Sequence, residues 1–174
     1  MGFWGYFIVA RSERPLVDLG AITTLCSPDQ VPEWSGEPMG SRTDGAWQFL
    51  QVHRGDPSAT EWLAKRLSAE TGAPALAIYV MDGDYGHIVA ASPTGAGLQG
   101  YLAPSIAEAE GMPALDVTTE EIGEAAARWA SEAGQVADVQ AIIAALAERP
   151  GPFGAGVHGL MNALGFRFGQ RQGQ

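Results

Sequence analysis

The stretch Ala75–Ala91, ALAIYVMDGDYGHIVAA, decides how the chain is read. Two runs rich in aliphatic, β-branched and aromatic residues, 75–81 and 85–91, flank Asp82-Gly83-Asp84. Runs of this length bounded by turn residues read as strands, and Asp-Gly supplies the left-handed backbone that a tight hairpin needs. Taking Asp82 and Gly83 as the loop sets Val80 opposite Tyr85 and Ile78 opposite His87. Leu76–Met81 is apolar on both faces, so it belongs in the middle of its sheet.

A strand buried on both faces needs neighbours, and the upstream sequence offers two. Phe3–Ala10 reads as a strand closed by the polar Arg11-Ser12-Glu13. In Trp47–His53, alternation puts Trp47, Phe49, Gln51 and His53 on one face, with Gln48, Leu50 and Val52 on the other. Pro15–Ile22 reads as a short helix or turn. Residues 26–45 carry Pro28, Pro32, Gly36, Pro38, Gly40 and Gly45 and read as a long loop around Trp34. Trp34 there either plugs the core or anchors a partner; Trp4, Trp47, Trp62 and Trp129 are assigned to the core.

Ser58-Ala59-Thr60-Glu61 and Thr118-Thr119-Glu120-Glu121 both match the capping box that opens a helix. The first helix carries the stripe Ala59, Leu63 and Leu67, with Trp62 beside it, and ends at Gly72 and Pro74. The second turns Ile122, Ala126, Trp129 and Ala133 inward, with Glu124 and Arg128 four apart on its outer face. Further helices are expected at Ser105–Glu110, through Val139, Ile142, Ile143 and Leu146, and around Val157–Leu164. The order predicts an α+β fold, residues 1–174 as a single domain. Its mainly antiparallel or mixed sheet contains the 75–91 hairpin at the centre and is covered by C-terminal helices. The sheet-forming part is placed at about 1–92 and the acidic helical part at about 104–165.

The chain has 174 residues, 46% of them hydrophobic and 17% charged, enough apolar material for one core. Its single cysteine, Cys26, excludes an intrachain disulfide and points to the reducing cytoplasm. Arg11 and Arg14 follow the apolar start instead of preceding it, the wrong order for a secretory signal. No apolar run approaches the ~20 residues that span a bilayer, so no membrane partner is expected. Lys65 is the only lysine and Asn162 the only asparagine, against nine arginines and abundant Ala, Gly and Pro, the usage of a GC-rich genome.

Twenty acids against ten bases give a net charge of −10, unevenly spread. Residues 101–148 hold nine acids and only Arg128, whereas residues 149–174 hold three arginines and no acid. This balance disfavours a nucleic-acid partner and favours a basic protein partner. Glu108, Glu110, Asp116, Glu120, Glu121 and Glu124, together with Trp34, are therefore the candidate partner-binding residues.

Motifs that would carry catalysis are weak. Gly95-Ala96-Gly97-Leu98-Gln99-Gly100 spells GxGxxG, but Pro104 interrupts the helix a dinucleotide site requires, so it is read as a connection. Asp82 and Asp84 offer carboxylates to a hard cation, yet no third acid stands at a recognisable spacing, and no metal or other cofactor is expected. His53, His87 and His158 form no HxH or HExxH, and no GxSxG is present. The alternative to a partner protein is a small enzyme or ligand-binding domain with a pocket near His53, Asp82, Asp84 and His87. No catalytic residue is assigned.

Three stretches together, GYFIVARSERPL, APALAIYVMDGDYGHIVAASPTG and GLMNALGF, resemble an uncharacterised family of small proteins from Streptomyces-like actinobacteria. The resemblance implies the source and a single domain and brings no catalytic residue. Size and charge also parallel small immunity proteins. The expectation is a non-enzymatic acidic protein of immunity- or antitoxin-like kind, with oligomeric state left open.

Overall fold

Gly5–Arg11 (β1) and Ala75–Met81 (β4) lie side by side at the centre of a six-stranded sheet in the computed structural model, which describes residues 2–169. The remaining strands are Glu37–Asp44 (β2), Trp47–His53 (β3), Tyr85–Ala91 (β5) and Leu98–Leu102 (β6). Their order is β2-β3-β1-β4-β5-β6, and every pairing is antiparallel. The helices are Gly20–Leu25 (α1), Thr60–Thr71 (α2), Pro104–Ala109 (α3), Thr119–Glu132 (α4), Val139–Leu146 (α5) and Ala155–Ala163 (α6). The result is one α+β domain, as the hairpin and the helix order predicted.

Both faces of the sheet are covered. Phe7, Val9, Phe49, Leu76, Ile78 and Ile88 pack in one core with Ile122, Ala126 and Trp129 of α4, Ile142 of α5 and Leu160 of α6. Tyr6, Ile8, Leu50, Val52, Ala77 and Tyr79 form the second core with Ile22 and Leu25 of α1 and Leu63 and Leu67 of α2. Alternation along each central strand thus feeds two apolar layers, which is why β1 and β4 carry almost no polar residue. The C-terminal helices cover one face, and α1 and α2 supply the other.

Several local expectations shift. The β4–β5 loop holds three residues, so Met81 faces Tyr85 and Tyr79 faces His87. Asp82 (φ 53°) and Gly83 (φ 72°) are both left-handed. Tertiary bonds select the longer loop: the Gly83 amide donates to Phe3 O at 3.0 Å, and the Gly151 amide donates to Gly83 O at 2.9 Å. Residues 37–44, expected in a loop, form edge strand β2, where Pro38 is tolerated beside a register shift at Pro38/Gly40. Leu98–Leu102, read as a connection, pairs with β5 as β6, so the sheet runs past residue 92.

The Thr118 capping box forms as its sequence implies: the Glu121 amide donates to Thr118 Oγ1 (3.1 Å) and the Thr118 amide to Glu121 Oε2 (2.8 Å). The Ser58 box does not. Asp56 takes the capping role by accepting from the Ser58 amide (2.9 Å) and hydroxyl (2.7 Å), while Glu61 pairs with Lys65 at 2.7 Å. Trp47 and Trp129 are buried, but Trp4 and Trp62 are 43% and 41% exposed instead of core. Among the described residues Glu124 and Arg128 make no ion pair, and no helix is long and apolar enough to cross a membrane.

Candidate functional site: an apolar cleft in the acidic segment

The acidic part of the chain is built around a cleft. Pro104 opens the short α3, which ends at Ala109 with Glu110 as its C-cap, and Gly111 (φ 83°) turns the chain back toward α4. The returning loop is held by Tyr101, whose hydroxyl donates to Pro113 O at 2.9 Å, and by the Met112 amide bonded to Ala107 O at 3.0 Å. The Ala103 amide donates to Leu146 O at 2.8 Å and ties the start of α3 to the end of α5. Between these elements lies a concavity of about 230 Å³ whose apolar wall includes Tyr101, Met112, Leu115, Val117, Ile122 and Leu146.

The segment that builds it is rich in carboxylates. Glu108 lines the cleft itself. Glu110, Asp116, Glu120, Glu121 and Glu124 stand exposed on α3, on the returning loop and on α4. Glu121 is tied to its own helix cap, whereas Glu108, Glu110, Asp116, Glu120 and Glu124 have no ion-pair partner among the described residues. Unpaired like charges close together in sequence raise the negative potential of this part of the surface. Of the seven candidate partner-binding residues, Glu108 alone lines this cleft.

Trp34 does not join them. It lines a separate concavity of about 200 Å³ with Leu25, Gln30, Asp56, Ala59 and Trp62, at the other end of the strand order from β6. The apolar wall of the acidic cleft was not singled out from sequence. Met112, Leu115 and Val117 follow no helical or strand period, and their only sequence signal is an apolar trio stranded between two acidic helices.

The four residues of the alternative pocket are not gathered either. Register parity sets His53 on the face of Phe49 and His87 on the face of Tyr79 and Val89, on strands separated by β1 and β4. Asp82 Oδ1 accepts from the Gly2 amide at 2.7 Å and from Trp4 Nε1 at 3.2 Å, while Asp84 meets Arg149 at 3.5 Å. Both aspartates thus pin the hairpin loop to neighbouring segments. Among the described residues no three His, Cys, Asp or Glu side chains converge as ligands for a cation.

His87 and His158 nevertheless respond to their surroundings. Burial lowers the pKa of His87 against the raising influence of Gln99 and Glu61. Burial and the nearby Arg42 guanidinium lower that of His158, whose ring packs 5.1 Å from Phe49 in an open groove bordered by Phe153 and Phe168. Unfolded imidazoles take up protons first, so the unfolded state binds more protons below about pH 6.5. Stability contributed by these histidines is therefore complete above that pH and is lost as pH falls through the lowered native values. Urea unfolding at about pH 7.5 and 5.5 should show the lower midpoint at acid pH. His158→Phe should reduce the difference.

Comparison with family models, with curated proteins and with solved structures finds no match for the chain.

Proposed function

We propose that this is a non-enzymatic interaction protein that docks a basic protein partner at the 101–122 cleft, in the manner of an immunity or antitoxin protein. One observation carries the reading: an apolar concavity lined by the unpaired Glu108 lies within the segment 101–148, which holds nine acids and a single base. The division of labour follows from physical chemistry. Each exposed ion pair adds only ~0.2–1 kcal/mol, so the carboxylates act chiefly by speeding encounter with a basic surface. Holding the complex falls to an apolar side chain of the partner, whose full burial contributes about 1.5–3 kcal/mol. The excess of carboxylates argues against a nucleic-acid partner. We place the protein in the cytoplasm, where its free Cys26 thiol, pushed up to about 11 by burial, stays protonated and inert.

The test uses an amphipathic leucine–lysine helical peptide as probe and its leucine–glutamate counterpart as control. Wild-type protein should bind the basic peptide and reject the acidic one, more strongly at low salt. Replacing Glu108, Glu120 and Glu124 together by Lys should slow association about 10–100-fold with folding intact. Val117→Asp, at a half-exposed wall position, should instead speed dissociation. Equal association rates for the wild type and the charge-reversed variant would refute the reading.

A further inference from the structure

A second site stands on independent observations and does not rest on the acidic cleft. Trp34 follows Pro32 and Glu33 in the connection between α1 and β2, where its amide donates to Val31 O at 2.7 Å. The Gly36 amide then closes the segment onto Leu25 O at 3.1 Å. This places Trp34 beside the first turn of α2, whose inward positions are taken by Leu63, Ala64 and Leu67. Trp62 is left on the outer side of that turn. Both indoles are 41% exposed, and both line the same concavity of about 200 Å³. Tryptophan with no core to fill is the residue most enriched at recognition sites.

Asp56 is the one charged residue that lines this pocket, beside the polar Thr24 and Gln30. Asp56 Oδ1 caps the turn before α2, but Oδ2 accepts no hydrogen bond among the described residues. The Gln30 amide side chain is also without a partner among them, and its oxygen is a second available acceptor. No basic side chain lines the pocket. An anion would meet the Asp56 charge, and a neutral apolar ligand would desolvate it unpaired. A donor cation satisfies both the carboxylate and the indole π-systems, which attract positive charge. A divalent metal is a poor match, because a single carboxylate supplies too few hard ligands.

We propose that the pocket formed by Trp34, Trp62, Asp56 and Gln30 binds a primary ammonium group carried on a short apolar stem. The ammonium hydrogens go to Asp56 Oδ2 and the Gln30 amide oxygen, and the stem packs against the indoles. Such a group comes from a free alkylamine or from a lysine side chain, and two probes separate these sources.

The experiment follows the indole Nε1–H signals of the ¹⁵N-labelled full chain, assigned by Trp→Phe variants, during titration. n-Butylammonium should shift the Trp34 and Trp62 signals saturably, with a dissociation constant of about 1–10 mM as befits so small a ligand. Neutral 1-butanol should bind at least about tenfold more weakly, given the worth of a charge-assisted hydrogen bond. Asp56→Asn should weaken the amine by a similar factor while keeping the fold, since Asn is an equally good helix cap. Nα-acetyl-lysinamide binding tighter than butylammonium assigns the site to a protein lysine, and the reverse order assigns it to a free amine. Equal binding of butanol and butylammonium, an unchanged affinity in Asp56→Asn, or no shift at about 50 mM amine would overturn the proposal.

Discussion

Replacing Gly5 with alanine is expected to cost about 3–5 kcal/mol of stability, a large share of what holds a domain of this size together. Gly5 begins β1 with φ 151°, a backbone conformation that side-chain-bearing residues seldom adopt. A Cβ there would lie 2.1 Å from Val52 O and 3.0 Å from the Arg54 amide nitrogen, both main-chain atoms of the neighbouring strand and its exit. Neither can swing aside as a flexible side chain would. The clash must therefore open the β1–β3 ladder at the Gly5–His53 pair or push the Phe3 ring, only 2.9 Å away, out of its place beside Phe7. Gly72→Ala is the control. Gly72 caps α2 with φ 66° and has open space where a Cβ would go, so only the conformational cost of about 1 kcal/mol remains. Urea unfolding of the two variants separates clash from conformation, and similar midpoints would show that the strand pair yields more easily than its main-chain geometry implies.

Trp129→Ala is expected to cost about 3–5 kcal/mol, because it removes the largest fully buried side chain among the described residues. Trp129 sits on the inner face of α4 with no exposed surface, in the core that joins the sheet to α5 and α6, and its ring lies 6.1 Å from Phe166. Its Nε1–H donates to Ala91 O at 2.9 Å at the end of β5, so the side chain also pins helix to strand. Trp129→Phe tests that bond: it restores much of the apolar volume and leaves Ala91 O without this donor, for a cost of about 1–3 kcal/mol. Urea midpoints at unchanged m-values would assign both losses to the folded state. If Phe proved as costly as Ala, the hydrogen bond rather than the volume would dominate.

These two positions mark the frame that carries the acidic cleft. α4 lays Trp129 and Ile122 on the sheet, and the same Ile122 reaches the wall of the cleft. Anchoring α4 on one side therefore presents Glu120 and Glu124 on the other. Changes to these carboxylates and changes to the core should separate experimentally, since the carboxylates are exposed and make no ion pair among the described residues.

Much of the frame could be read from local pattern. The 75–91 hairpin, the burial of β1 and β4 on both faces, the Thr118 capping box and the inward stripe of α4 all follow from periodicity and short-range hydrogen bonding. Where a long-range partner competes, local pattern misled. The Ser58 box lost its cap to Asp56, and the hairpin loop grew by one residue to meet Phe3 and Gly151. β2 and β6 escaped notice for a related reason. Edge strands make half the ladder bonds of a central strand, so residues such as Pro38, Gly40 and Gly100 are tolerated there, and the composition resembles a loop.

The amino-acid order by itself determined the sheet's centre, the helices and the clustering of acid between residues 101 and 148, because each depends on neighbours a few positions apart. Which side chains share a surface was decided only in three dimensions. Strand parity sent His53 and His87 to opposite faces, while chain crossing brought Trp34 to Trp62 and Asp56 and set Leu115 and Val117 beside Ile122. The physical reason is that a concave site is made by elements distant in sequence, and their meeting is set by the packing of whole layers rather than by any local preference.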